Sequence, residues 1–169
     1  MRIIAIDPGT AESAWCVLDE GVPSAIGKEE NRLIVDKMRQ GFAPFDHGLL
    51  AVEMVASYGM PVGKEVFETV LWIGRFVEAW DNGVGAYRLI YRKDVKLFHC
   101  HSLRANDSNI RAAIIDRFGP GREKAIGYKA RPGPLHGIKG DEWSALAIAL
   151  TVHGATTSEG ALQAMEAAA

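Results

Sequence analysis

The apolar positions of this chain fall into short solid runs separated by longer stretches with helical spacing. Residues 2–6 form an almost wholly apolar run that ends in Asp7, after which Pro8-Gly9-Thr10 turn the chain. A run of that length predicts a strand covered on both faces. Residues 13–18 form a second run, closed by Asp19-Glu20-Gly21, which reads as a hairpin turn into a third strand over 22–28. The three make an antiparallel meander. Residues 29–39 switch to helical spacing, with Leu33, Ile34, Lys37 and Met38 recurring at helical intervals and Gly41 as the helix end.

After a loop over 42–47, residues 48–52 form another buried apolar run, and it ends in Glu53. A loop over 54–63 follows. Residues 64–80 predict the longest clear helix, with a stripe of Val66, Val70, Ile73, Val77 and Trp80 flanked by Phe67 and Leu71. So broad an apolar face predicts core on one side and a subunit contact on the other. Residues 86–91 read as a further strand and 92–96 as a short helix leading into a loop. Residues 105–118 predict a helix capped by Asn106 or Asp107, with Ile110, Ala113, Ile114 and Phe118 on one face and Arg111 and Arg117 outside. Residues 119–140, rich in Gly, Pro, Lys and Arg without periodicity, read as a mobile basic loop that orders on a nucleic acid or beside metals. Asp141 falls in the first turn of a last helix, whose small apolar stretch 145–152 suits close packing against the sheet. The pattern predicts an α/β fold: one domain over 1–153, its five-stranded sheet mixing an antiparallel meander with parallel strands and carrying helices on both faces. An Ala-rich, frayed tail over 154–169 completes it.

Composition narrows the class. With 169 residues and 48% hydrophobic content the chain can bury one sizeable core. No apolar run approaches the ~20 residues of a membrane helix, and no hydrophobic leader precedes the first strand, so the expectation is a cytoplasmic protein with no membrane partner. Cys16 and Cys100 are too few for a disulfide framework, and no Cys/His group has zinc-ligand spacing. The net charge of −2 conceals an asymmetry: residues 88–139 carry 12 Lys and Arg against 4 Asp and Glu, and the rest carries 7 against 17. A basic segment in an otherwise acidic chain is the footprint of a polyanion-binding surface.

Two apolar strands that each finish at an acid, Asp7 and Glu53, bring two carboxylates to one sheet edge if the strands lie parallel, as the intervening helix favours. Such a pair repels itself unless a cation neutralises it, and hard divalent ions take oxygen ligands of this kind. Each acid also has a plain alternative: Asp7 capping its turn, Glu53 making a salt bridge. Asp141 is either a third carboxylate aimed at the pair or a charge stabilised by the helix dipole. Tyr58 and Met60, in the loop after Glu53, can stack on or wedge between bases, or pack back on the domain.

The ordered set of strand-Asp7-Pro-Gly-Thr, strand-Glu53 and the late GDEWSALAIAL helix resembles the RuvC-type Holliday junction resolvases of the ribonuclease H-like superfamily. The segments VEMVASYGMPVGKEVFETVLWIGRF and RKDVKLFHCHSLRANDSNIRAAIIDRFG are similar to short phage versions, and the resemblance covers roughly residues 1–153. It implies a ribonuclease H-like fold and a homodimeric endonuclease that cuts branched DNA symmetrically. It also implies two Mg2+ ions, with Mn2+ able to substitute, and Asp7, Glu53 and Asp141 as ligands and catalytic residues. A phage-encoded protein of this kind works in the host cytoplasm. The bacterial pattern has a second late acid where this chain has Ser144, so the fourth ligand is open among a water held by Ser144, Glu142, and Asp107. Lys64, Arg92, Lys93, Lys96, Arg104, Arg111, Lys129, Arg131 and Lys139, with Tyr58 and Met60, are the DNA-binding candidates. Rival readings are the same chemistry on flaps, forks or RNA hybrids, a non-catalytic junction-binding module, and an actin-like nucleotide-binding domain.

Overall fold

A computed structural model describes residues 1–57, 59–81 and 85–167. Five strands, β1 (Arg2–Asp7), β2 (Glu12–Asp19), β3 (Val22–Glu30), β4 (Leu49–Met54) and β5 (Tyr87–Tyr91), form one sheet in the order β3-β2-β1-β4-β5. β1, β2 and β3 are antiparallel neighbours, and β4 and β5 add in parallel. The β2–β3 turn places Glu20 (φ 49°) and Gly21 (φ 82°) both in the left-handed region. A tight hairpin of matching twist needs that geometry.

Both faces of the sheet are covered, which explains the unbroken apolar runs. Ile3 and Ala5 of β1, with Cys16 and Leu18 of β2, face α3 (Arg92–Cys100), α4 (Asp107–Phe118) and α6 (Glu142–Ala167). Ile4 and Ile6, with Val17, Leu50 and Val52, face α1 (Asn31–Gln40) and α2 (Lys64–Asp81). Fully burying each Ile or Leu stabilises by about 1.5–3 kcal/mol. Ala145, Ala147 and Ala149 of α6 are all buried, and their small side chains let this helix lie close along the centre of the sheet.

Several expectations shift. The buried face of α2 is Thr69, Ile73, Phe76, Ala79 and Trp80: Ile73 and Trp80 of the expected stripe are in it, Val66, Val70 and Val77 are not. The helix is apolar on several sides, and the two large aromatics decide the packing, with Trp80 Nε1 also donating to Ala86 O at 3.1 Å. Phe67, Val70 and Leu71 are left exposed. α3 runs to Cys100 rather than ending at 96. Asn106 caps α4, accepting from Asn109 N at 3.0 Å. Arg111 does not stand outside that helix: it lies over the Trp143 ring, 4.6 Å from its centroid.

Residues 119–140 are not a structureless loop. They fold into a single-turn helix, α5 (Arg122–Ala125), and a small hairpin of β6 (Gly127–Tyr128) and β7 (Arg131–Pro132). Ala125 and Leu135 are fully buried in the main core. Backbone bonds from Gly133 N to Ile126 O (2.9 Å) and from Leu135 N to Ala125 O (2.8 Å) close the unit. Two buried anchors, Ala125 and Leu135, among elements of two to four residues leave no periodicity to read. At the other end, α6 continues past residue 153 to Ala167 without a break. Among the described residues no helix is long and apolar enough to cross a membrane.

Candidate active site

Asp7 and Glu53 hold equivalent positions at the ends of adjacent parallel strands, each one residue beyond the paired Ile6 and Val52. Their carboxyl groups lie close enough to act on each other directly. Asp7 is pushed up to about 7 by burial, by the Glu53 charge and by their hydrogen bond, with Asp141 adding to the rise and Arg92 opposing it. Burial also raises Glu53, against the pull of Arg92 and the bond from Asp7. Burial and mutual repulsion therefore favour a proton shared by the pair over two full negative charges. A proton so held marks a place where a cation can replace it.

The turn after Asp7 is fixed from beneath by a buried polar network. Asn31, at the start of α1, donates from Nδ2 to Gly9 O (2.9 Å) and accepts from Ser13 Oγ (2.6 Å). Ser13 Oγ accepts in turn from Gly9 N at 3.2 Å. Ser13 is 1% exposed and Asn31 0%. A Cβ at Gly9 would sit 2.3 Å from Glu12 O, so only glycine permits this approach. Asp7 thus projects from a rigid corner into an open cleft of about 440 Å³ shared with Lys28 and Asp141.

Asp141 lies just before α6 rather than in its first turn. Its carbonyl accepts from Ala145 N at 3.2 Å, while its exposed side chain accepts from Lys28 Nζ at 2.7 Å. Lys28 arrives there because Asp7, Ala14 and Lys28 form one row across β1, β2 and β3. Glu142 is buried and turned inward. Its Oε2 accepts from Lys139 N at 2.8 Å, closing the helix start, and its charge adds to the burial that raises the Cys16 thiol. Glu142 is thereby engaged away from the carboxylate pair.

Asp107 and Ser144 share a small cleft of about 20 Å³ with Arg92, Arg111 and Trp143. Arg92 Nη2 donates to Asp107 Oδ1, and Arg92 Nη1 lies 3.8 Å from Glu53 Oε1. Sequence reasoning placed Arg92 among general DNA contacts and missed its position beside Glu53. The signal was present, since Arg92 follows directly on β5, whose Ile90 pairs with Glu53. Lys28, Ser13 and Asn31 were also missed, because only strand register and burial reveal them.

The donor set fits a hard divalent ion at one point, the Asp7–Glu53 pair, while Asp141 is held by Lys28. Among the described residues no three His, Cys, Asp or Glu side chains stand together as a ready cage. The other basic candidates lie elsewhere on the surface. Lys93 and Lys96 line a cleft of about 480 Å³ with Arg92 and Leu103. Arg104 is exposed beside it, Lys129 and Arg131 are exposed on the β6–β7 hairpin, and Lys139 is exposed ahead of α6. Lys64 pairs with Glu68 at 3.0 Å at the start of α2, and Met60 is exposed. Tyr58 lies outside the described residues.

No family model matches the chain, and no curated protein is detectably similar in sequence. Solved structures do match. The Thermus thermophilus RuvC structure superimposes with a TM-score of 0.67 at 18% identity, covering 94% of this chain and 97% of that one. T. thermophilus RuvC in complex with a Holliday junction substrate gives 0.64 at 17% identity, covering 93% and 96%. At that identity the match speaks for architecture: this chain has the RuvC fold, a ribonuclease H-like arrangement of mixed sheet and flanking helices.

Proposed function

We propose that the protein is a metal-dependent endonuclease that cuts branched DNA, four-way junctions foremost, as a homodimer. The observation that carries this reading is the Asp7–Glu53 carboxylate pair at adjacent strand ends, set in the RuvC fold. A buried carboxylate pair on a rigid corner costs stability, and a binding module facing phosphates gains nothing from it. The junction bound in the T. thermophilus RuvC complex supports DNA of that shape as the substrate.

Asp7 and Glu53 would hold Mg2+, or Mn2+ in its place, and Asp7 with Asp141 a second ion. Two such ions supply an activated water on one side of a phosphodiester and charge stabilisation for the leaving 3′ oxygen on the other. The chain itself orients the substrate. The rigid turn at Pro8-Gly9 fixes the first ligand, and Lys93, Lys96 and Arg104 bind backbone phosphates without reading bases. Lys129 and Arg131 extend the basic surface along a DNA arm. Exposed Phe67, Val70 and Leu71 on α2 form the contact proposed for the dimer.

The test is cleavage of a labelled four-way junction beside flap, fork and linear duplex controls, with Mg2+ and with chelator. Paired Mg2+-dependent nicks in opposing arms are the expected result. Cleavage of flaps or forks alone would keep the site and change the substrate, and junction binding without cleavage would leave only a binding module.

A further inference from the structure

Arg92 stands within ion-pair distance of the carboxylate centre, its Nη1 3.8 Å from Glu53 Oε1, and its placement is built by the fold. β5 delivers it past the sheet edge. The backbone N–H of Tyr91 donates to Asp94 Oδ2 at 3.2 Å, which fixes the start of α3. From there the guanidinium spans Glu53 and Asp107, and it is 26% exposed. It also borders three clefts: that of Glu53 and Met54, that of Asp107 and Ser144, and the roomier one lined by Lys93 and Lys96. An arginine that closes an ion pair with two acids while touching an open basic cleft has two places to be.

We propose that Arg92 is an exchangeable counter-cation: it neutralises Glu53 and Asp107 until a divalent ion is bound by the carboxylates, and then turns into the Lys93–Lys96 cleft to grip a phosphate of the bound strand. This rests on the endonuclease reading and adds to it a residue and a sequence of charge states. The guanidinium and a metal dication compete for the same negative charge, so one is expelled as the other is held. A planar fork freed beside two lysines matches the bidentate geometry of a phosphate. In the metal-free state Asp107 is the second partner, and it draws Arg92 part of the way off Glu53.

The proposal predicts opposite signs for two properties that a merely structural role would move together. Arg92→Gln removes the competing charge, so Mn2+ titrated against the full-length protein without DNA binds roughly tenfold more tightly. Asp107→Asn leaves Arg92 with Glu53 alone and weakens Mn2+ binding by a similar factor. Junction cleavage nevertheless falls at least about tenfold in Arg92→Gln, and Arg92→Lys restores part of it. Circular dichroism melting of each variant verifies that the fold is intact. Mn2+ affinity unchanged or weakened in a folded Arg92→Gln overturns the proposal, as does unimpaired cleavage by that variant. Failure of the endonuclease reading shows separately, as a wild type that cuts no DNA while the Mn2+ titrations still report; a wild type that binds no Mn2+ overturns both.

Discussion

Replacing Asp7 by asparagine should stabilise this protein at alkaline pH, although it removes the proposed central ligand. Asp7 moves from an ordinary 3.8 to about 7 on folding, chiefly through burial and the Glu53 charge. Between those values the folded chain binds more protons than the unfolded chain, so stability falls as pH rises across that window. Above pH 7 the whole penalty is present. At about 1.4 kcal/mol per pH unit it amounts to about 4 kcal/mol as an upper bound. Asparagine keeps some of the cost, because its amide must still be desolvated, leaving a gain of about 1–3 kcal/mol. For a chain of this size that is about 3–9 °C in melting temperature. Thermal melts in chelator at pH 8.5 and pH 5 test it. The variant should melt higher at pH 8.5 and close to wild type at pH 5, where Asp7 is already protonated. Added Mg2+ should raise only the wild type, through ligand linkage. A variant that melts lower at pH 8.5, or by the same offset at both pH values, would refute the reasoning.

Asn31→Ala strands the Gly9 carbonyl and the Ser13 hydroxyl in a site that is 0% exposed at residue 31, and should cost about 2–4 kcal/mol in urea unfolding. Adding Ser13→Ala should cost less than the same change costs in the wild type, giving a measurable coupling in the double-mutant cycle. Gly133→Ala puts a Cβ 2.4 Å from the carbonyl oxygens of both Ala125 and Lys124. Amide exchange measured by mass spectrometry should then show residues 122–138 deprotected and the central sheet unchanged.

The two principal acids were legible because each ends a strand buried on both faces, where an apolar run stops abruptly at a carboxylate. The sheet followed from the same runs and from the helix that separates residues 2–6 from 48–52. The buried face of α2 was not legible, since a helix with Val66, Phe67, Val70, Leu71, Ile73 and Phe76 offers several apolar stripes and only tertiary packing selects one. The unit over 122–135 escaped because its order rests on glycine approaches and on Leu135, not on any repeat. Arg92 and Lys28 illustrate a further limit: a charge is visible in sequence, but its partner depends on strand register. Asp141 shows the same from the other side, its carboxylate engaged by a lysine 113 residues away.

The central claim, that Asp7 serves chemistry rather than recognition, is tested most directly by measuring cleavage and binding of one four-way junction side by side in wild type and Asp7→Asn. Binding is followed by fluorescence anisotropy in chelator, and cleavage is started by Mg2+. The account predicts that the variant binds as tightly as wild type or somewhat more tightly, having lost a charge that repels phosphate, and cleaves nothing. Residual cleavage at wild-type rates, or loss of binding together with cleavage in a folded variant, would contradict it.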